Sequence, residues 1–332
     1  MGNIRLGTIG TNFITDFFLE SAKKAGGLEL KAVYSRKQET GDSFSAKYGD
    51  PPVYTDLEEF FSSDIEAVYI ASPNFLHYAQ AKQALLHGKH VLLEKPACMC
   101  EKEFLELSEI ADEKGLVLLE AMRPGHDPGM EKIRAAIPRI GTVRRAVFDF
   151  CQYSTRYDKF REGTVLHAFD PKYGNAAIMD IGCYAIHVCV MLFGAPQKVT
   201  ASCIRLSNGF EGQGTLLLTY PEFTAEVIYS KITESFAPSM ICGEDGTISI
   251  GKLSLLPWAA VTMRGGKTEP LFGDPDEENR SYLLGRGGNM VYEAADFVKC
   301  IKGELPQDKF RENTRRTLHV MDEVLRQNEI VF

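Results

Sequence analysis

Four short stretches of this 332-residue chain carry side chains that could move protons or hold a phosphate. The first is Glu94-Lys95-Pro96, which ends an apolar run, His90 to Leu93, that reads as a buried strand. An amine at the carboxyl end of a buried strand, beside a carboxylate and ahead of a turn-fixing proline, loses hydration. Part of its affinity for a proton goes with it, so Lys95 can relay protons near neutral pH; a plain Glu94 to Lys95 ion pair is the alternative. The second is the set Asp180, Tyr184 and His187, spaced i, i+4 and i+7. That spacing shares one helical face, with Ile181, Ala185, Val188 and Leu192 on another, so three proton-handling groups line up. Each has an ordinary structural use as well: Asp180 as an acid near a helix start, Tyr184 as a half-buried aromatic, His187 as either a substrate contact or a hydrogen-bonded core residue.

The third stretch, Gly10-Thr11-Asn12-Phe13-Ile14-Thr15, follows the apolar run Ile4 to Ile9 and matches a dinucleotide-binding G-x-G-x-x-G at Gly10 alone. Asn12 stands in place of the second glycine and tolerates a positive φ; Thr15 replaces the third. A pyrophosphate on the following helix start, or a plain strand-to-helix turn, fits this pattern. The fourth is Tyr34-Ser35-Arg36-Lys37, at the end of a second strand, where an NAD site would offer a carboxylate to the ribose. A hydroxyl followed by two cations suits a 2′-phosphate, so NADP(H) is expected in preference to NAD(H), which stays possible.

The elements that must position these groups alternate regularly over the first third of the chain. Ile4 to Ile9, Leu28 to Tyr34, Ala67 to Ala71, His90 to Leu93 and Leu116 to Leu119 read as strands, while Phe13 to Ala25, Leu76 to His87 and Glu101 to Lys114 have helical periodicity and end at Gly26, Gly88 and Gly115. Repeated β-α-β units build a doubly wound parallel sheet with its ligand crevice beyond the carboxyl ends of the strands. Past residue 122 the texture shifts to alternating strands, including Val143 to Tyr153, Lys198 to Arg205, Gly214 to Tyr220, Thr224 to Ile232 and Thr247 to Ile250. The expected fold is therefore α/β: a Rossmann domain over 1–122 and an α+β domain over 123–332 with a large, open, mostly antiparallel sheet.

Composition narrows the partners. A net charge of −8 argues against a nucleic-acid backbone, and no apolar stretch reaches the ~20 residues of a membrane span, which with a polar-flanked first strand implies a cytoplasmic protein. The eight cysteines form no C-x-x-C pair or zinc spacing, so reduced thiols and no structural metal are expected.

Ala71-Ser72-Pro73-Asn74-Phe75-Leu76-His77, then Gly88-Lys89-His90-Val91 and Glu94-Lys95-Pro96, closely resemble the Gfo/Idh/MocA oxidoreductases. So does Gly174-Asn175-Ala176-Ala177-Ile178-Met179-Asp180-Ile181-Gly182-Cys183-Tyr184, which departs from the family signature in having Asn175 for a second glycine. The closing helical segments, Asn289 to Ile301 and about Glu312 to Gln327, extend the likeness to nearly the whole chain. The resemblance implies that Lys95 faces both nicotinamide and substrate, with Glu94 and Pro96 shaping its turn. It further implies that Ala71, Ser72, Pro73, Asn74, His77, Glu94, Lys95 and Pro96 join Gly10, Thr11, Asn12, Phe13, Ile14, Ser35, Arg36 and Lys37 along the cofactor, where Arg123 is also expected. Asp180 and Tyr184 would surround the reacting hydroxyl with Lys95. Apart from the resemblance, residue type and place in the chain make Arg123, Tyr157 and His167 candidate substrate contacts, and His187 either such a contact or a core histidine. A tyrosine at 184 marks the glucose-fructose oxidoreductase and dihydrodiol dehydrogenase branch, where inositol dehydrogenases carry histidine. The implied activity is hydride exchange with a sugar, polyol or small diol, in a homodimer or dimer of dimers joined through the open sheet. An NAD-dependent inositol-type dehydrogenase and a non-catalytic nucleotide-binding sensor are the alternatives.

Overall fold

A computed structural model describes residues 2–274 and 287–332. The chain divides into two compact units, Met1–Arg123 with Ser281–Glu312, and Pro124–Arg280 with Asn313–Phe332. Each is described in turn.

The first unit is built on six parallel strands: β1 (Ile4–Ile9), β2 (Leu28–Tyr34), β3 (Val53–Tyr54), β4 (Ala67–Ile70), β5 (His90–Glu94) and β6 (Leu118–Ala121). Their order, β3-β2-β1-β4-β5-β6, is that of the Rossmann fold, with the switch point between β1 and β4. Strands covered on both faces should be apolar throughout, and every residue of β4 and β6 is buried. Phe18 of the helix Phe13–Ala25 stacks on Tyr69 of β4 with ring centroids 3.8 Å apart, fixing that helix on the sheet.

A helix from far along the sequence completes this unit. Met290–Ile301 buries Met290, Ala294, Phe297 and Val298 in the same core as Phe18, Leu19 and Ala22. The division expected at residue 122 assigned everything after it to the second body, and the packing corrects this. An amphipathic helix belongs to whichever apolar face it covers, and sequence position does not record that face.

In the second unit eight strands run β14-β13-β12-β11-β7-β10-β9-β8. They are β7 (Val143–Cys151), β8 (Lys198–Arg205), β9 (Glu211–Thr219), β10 (Thr224–Ser230), β11 (Ser239–Gly243), β12 (Gly246–Ile250), β13 (Ala259–Met263) and β14 (Thr268–Phe272). Only the β7–β10 pair is parallel among these neighbours. Alternation along β9 and β10 buries one face, on which the helix Cys183–Phe193 packs, and leaves Leu217 and the Arg145–Glu226 ion pair on the other. The edge strand β8 is capped by Gln327, whose amide accepts from Ala201 N and donates to Val199 O.

One core group of the first unit breaks the apolar rule. Glu293 is fully buried, and neither carboxyl oxygen has a hydrogen-bond partner among the described residues. Burial first, then the charges of Glu94 and Glu120, push its pKa well above the carboxylate range, with Arg123 opposing. An acid that holds its proton more tightly folded than unfolded adds stability that is complete below the unfolded pKa of ~4.3 and is lost as the pH climbs from there toward the folded value. Glu293→Gln keeps the shape without the titration. Urea unfolding at pH 4 to 8 should show the variant gaining on the wild type as pH rises, by about 1.4 kcal/mol for each unit of the shift. A difference that does not vary with pH would mean the carboxyl is not held neutral.

Candidate active site

Beyond the carboxyl ends of β1, β2 and β4 lies a cavity of about 480 Å³. Its floor is the turn after β1. Gly10 has φ +112°, and a Cβ there would stand 2.6 Å from the Ala71 carbonyl oxygen, so the close approach of these two loops requires glycine. Asn12 lies at φ −92°, ψ 176°, and so does not use the positive φ anticipated for it. It is the N-cap: Oδ1 accepts from Ile14 N at 2.9 Å, and Nδ2 donates to Ala71 O at 3.2 Å. A side chain that holds both the helix start and the neighbouring loop replaces the freedom a second glycine would give.

The far wall is the turn after β2. Ser35 is buried and its hydroxyl donates to Lys37 O at 2.9 Å, which curls the turn and leaves Arg36 and Lys37 exposed on the cavity rim. Among the described residues no carboxylate lines the cavity. Ala71, Ser72 and Pro73 line it, together with Tyr34, Thr40 and Gln80, which were not foreseen. Gln80 accepts from the Ser72 hydroxyl at 2.6 Å, a contact set by helix position for which the sequence pattern carries no sign. Phe13, Ile14, Asn74, His77, Glu94, Lys95, Pro96 and Arg123 are not among the lining residues. An exposed helix start, a glycine-permitted close approach and a cationic rim suit the pyrophosphate and ribose end of a dinucleotide.

Two buried carboxylates grip the turn that carries Lys95. Glu94 accepts from Lys95 N at 3.2 Å with one oxygen and from the Tyr69 hydroxyl at 2.6 Å with the other; Glu120 accepts from Ala97 N at 2.9 Å. His77 then ties the turn to the loop after β4, with Nδ1 2.9 Å from Pro96 O and Nε2 2.9 Å from Ser72 O. Burial lowers the His77 pKa, and the Lys95 charge lowers it further. Glu94 and His77, both expected along the cofactor, are therefore buried braces. Lys95 itself is half-buried. Arg123 is also partly buried, with Nη2 3.0 Å from Met290 Sδ.

In the second unit the signature segment forms a wide π turn, Ile178–Gly182, that leads into the helix Cys183–Phe193. Asp180 lies on that turn with its side chain 47% exposed, 2.7 Å from Lys231 Nζ. Tyr184, one turn on, is buried edge-to-face against Phe150 at 5.5 Å. His187 does not share their surroundings. It is 3% exposed, its Nδ1 lies 3.1 Å from Thr317 Oγ1, and a Cβ on Gly125 would approach Nε2 to 2.9 Å. Burial and then the neighbouring His126 lower its pKa to about 3, which holds it as a neutral histidine in the core. The straight-helix projection put it beside Asp180, but the helix is buried all round, so no single face collects the polar groups.

Asn175, at the signature's second glycine position, donates to His167 O at 2.7 Å. His167 is exposed and stacks on Tyr173 at 4.0 Å, while Tyr157 stacks on Phe169 at 5.7 Å. Lys231 was missed, since a lone lysine after a strand carries no motif.

Residues 4–122 match the family described as oxidoreductase family, NAD-binding Rossmann fold, and residues 131–249 match the Gfo/Idh/MocA C-terminal domain. The chain belongs to the Gfo/Idh/MocA oxidoreductases. Among its relatives, a scyllo-inositol 2-dehydrogenase (NADP(+)) of Bacillus subtilis is 43% identical over 99% of this chain and 98% of its own. A trans-1,2-dihydrobenzene-1,2-diol dehydrogenase of Oryctolagus cuniculus is 27% identical over 92% of this chain and 90% of its own. A solved 3-ketoreductase from Actinomadura kijaniata, in complex with NADP and TDP-benzene, shares the fold with a TM-score of 0.83 at 21% identity, covering 98% of each chain. This Gfo/Idh/MocA member carries its family's E-K-P lysine on a backbone braced from three sides.

The His77 brace is directly testable. His77→Ala removes both carbonyl contacts and opens a cavity, so it should cost roughly 2–4 kcal/mol in urea unfolding and weaken NADPH binding. A loss of stability within error would show that the imidazole braces neither loop.

Proposed function

We propose that the protein is an NADP-dependent oxidoreductase that moves hydride between the nicotinamide and a carbinol or carbonyl carbon of an inositol, sugar or related polyol. The observation that carries the cofactor choice is the rim after β2: Arg36 and Lys37 exposed on the cavity, with no carboxylate among the described residues lining it to hydrogen-bond an unphosphorylated ribose. The relative of 43% identity is named for NADP(+) and scyllo-inositol, which supports both the cofactor and a cyclic polyol as substrate class.

The bound nicotinamide supplies acceptance or donation of the hydride. The chain's own residues handle the proton and the substrate's orientation. In the oxidative direction the C–H electron pair leaves with the hydride while the hydroxyl proton passes to a Tyr184 phenolate or a neutral Lys95 amine. A nearby cation favours the phenolate, and coupled groups can share the duty. Asp180 hydrogen-bonds and orients the polyol. Arg123, Tyr157 and His167 are candidate wall residues; Glu94 and His77 act through the backbone they hold. Among the described residues no helix is long and apolar enough to cross a membrane, and a cytoplasmic location accords with that. The outer face of the eight-stranded sheet, where Leu217 is exposed, is the surface for pairing two copies.

Binding titrations separate the cofactor assignment from the chemistry. Arg36→Ala should weaken NADPH about tenfold or more and leave NADH nearly unchanged, since a bidentate phosphate contact is lost from one ligand only. An equal loss for both nucleotides would remove Arg36 from the 2′-phosphate. Lys95→Ala should reduce NADP(+)-dependent oxidation of scyllo-inositol by at least about a hundredfold, followed by absorbance of the reduced cofactor. Undiminished turnover would dismiss Lys95 from the mechanism.

A further inference from the structure

Lys231 follows β10 and lies in none of the motifs, yet it is a deeply enclosed cation that contacts the signature segment. Its side chain is 6% exposed, while that of its partner Asp180 is 47% exposed. The ammonium stands 2.7 Å from Asp180 Oδ2, with the rings of Phe169 and Phe210 at 5.3 and 5.7 Å. Both rings are fully buried and lie 4.7 Å apart. The backbone is fixed as well: Lys231 N donates to Gly212 O at 2.9 Å, and Lys231 O accepts from Ser154 N at 2.9 Å.

Sealing a lysine against two aromatic faces sacrifices hydration that a surface ion pair would keep, and such pairs are often no more stabilising than an apolar replacement. The asymmetry shows what the arrangement accomplishes. The cation is enclosed and immobile, and the acid it holds reaches solvent. We propose that Lys231 is a positioning residue, fixing Asp180 from behind so that its carboxylate keeps one orientation toward the substrate hydroxyl. The proposal rests on the reading of Asp180 as the group that orients the polyol.

Another titratable group, Glu211 on β9, acts on this pair directly, and Tyr229 on β10 and Cys203 on β8 interact in turn with Glu211. Glu211 accepts from Ile178 N at 2.9 Å, directly beneath the π turn. Its burial pushes its pKa up to about 7, and Lys231 draws it down. A pH profile near neutrality therefore contains Glu211, and Glu211→Gln is the control that separates it from Asp180.

The test uses the full-length protein with ¹³C-carboxyl aspartate, Asp180 being assigned by its absence in Asp180→Asn. In Lys231→Met the Asp180 titration should move up by about one pH unit or more, as it does when a carboxylate loses a contacting cation. With scyllo-inositol and NADP(+) as probes, kcat should fall about tenfold or more and the acid limb of kcat/KM should shift the same way, while the KM for NADP(+) holds within about twofold. Lys231→Arg should restore most of the titration shift. An unmoved Asp180 titration in folded Lys231→Met overturns the proposal. Should that variant not fold, the wild type decides: the Lys231 ¹⁵Nζ resonance must shift in step with Asp180, and an indifferent resonance overturns it equally. A linked titration with no turnover of scyllo-inositol, myo-inositol or glucose instead overturns the functional reading, and with it the role in catalysis.

Discussion

A carboxylate taken out of water has to be hydrogen-bonded, and in the first unit that demand organises the turn that carries Lys95. Glu94 ends β5 with its side chain buried, and its donors are the Tyr69 hydroxyl on β4 and the amide of Lys95. Glu120 on β6 meets the same demand with the amide of Ala97. Three adjacent strands thus hold residues 95 to 97 through their main chain, and the side chain of Lys95 leaves a backbone with little freedom to drift. A side chain supported in this way has its positional entropy lost at folding, before any ligand arrives.

The same braces concentrate negative charge. Glu94 and Glu120 both raise the proton affinity of Glu293, and Arg123 is the cation that opposes them. This gives Arg123 a use within the first unit that its position directly after β6 did not convey. Its guanidinium is turned toward Met290 and the acids of this unit's interior. A residue at the carboxyl end of a strand in such a sheet is a good functional candidate on topology alone, but neighbouring charges decide how much of it is spent on the scaffold.

Much of the fold was legible because periodicity reports burial. The ranges read for β1, β2, β8 and the helices Phe13–Ala25 and Glu101–Lys114 match the structure to the residue, each being bounded by turn residues or a glycine stop. What was hidden depends on tertiary contact. The two-residue strand β3 is too short to show a period. The helix Met290–Ile301 reads as amphipathic without saying which core it covers. In the cavity, Gly10, Ser35, Arg36 and Lys37 could be found from their place after strands, whereas the hold of Asn12 on the loop after β4 and the Thr317 contact of buried His187 depend on partners 59 and 130 residues away. Lys231 was invisible for the same reason: its importance lies wholly in what surrounds it.

The two sheets impose different rules on where functional groups can come from. In the first, strands are covered on both faces, so a polar side chain within a strand must be satisfied inside the fold; Tyr69, Glu94 and Glu120 are all braces, and exposed chemistry is left to the turns. The second sheet is one-sided, and its buried face lies under the π turn and the helix Cys183–Phe193. Groups such as Asp180 are therefore presented from the covering layer, while residues at the sheet act upward from below. Glu211 holds the amide of Ile178 and Lys231 holds the carboxylate of Asp180. The wide turn between them is what makes this layering workable, because it carries Asp180 on a segment whose backbone and side chain are each anchored by a separate strand end.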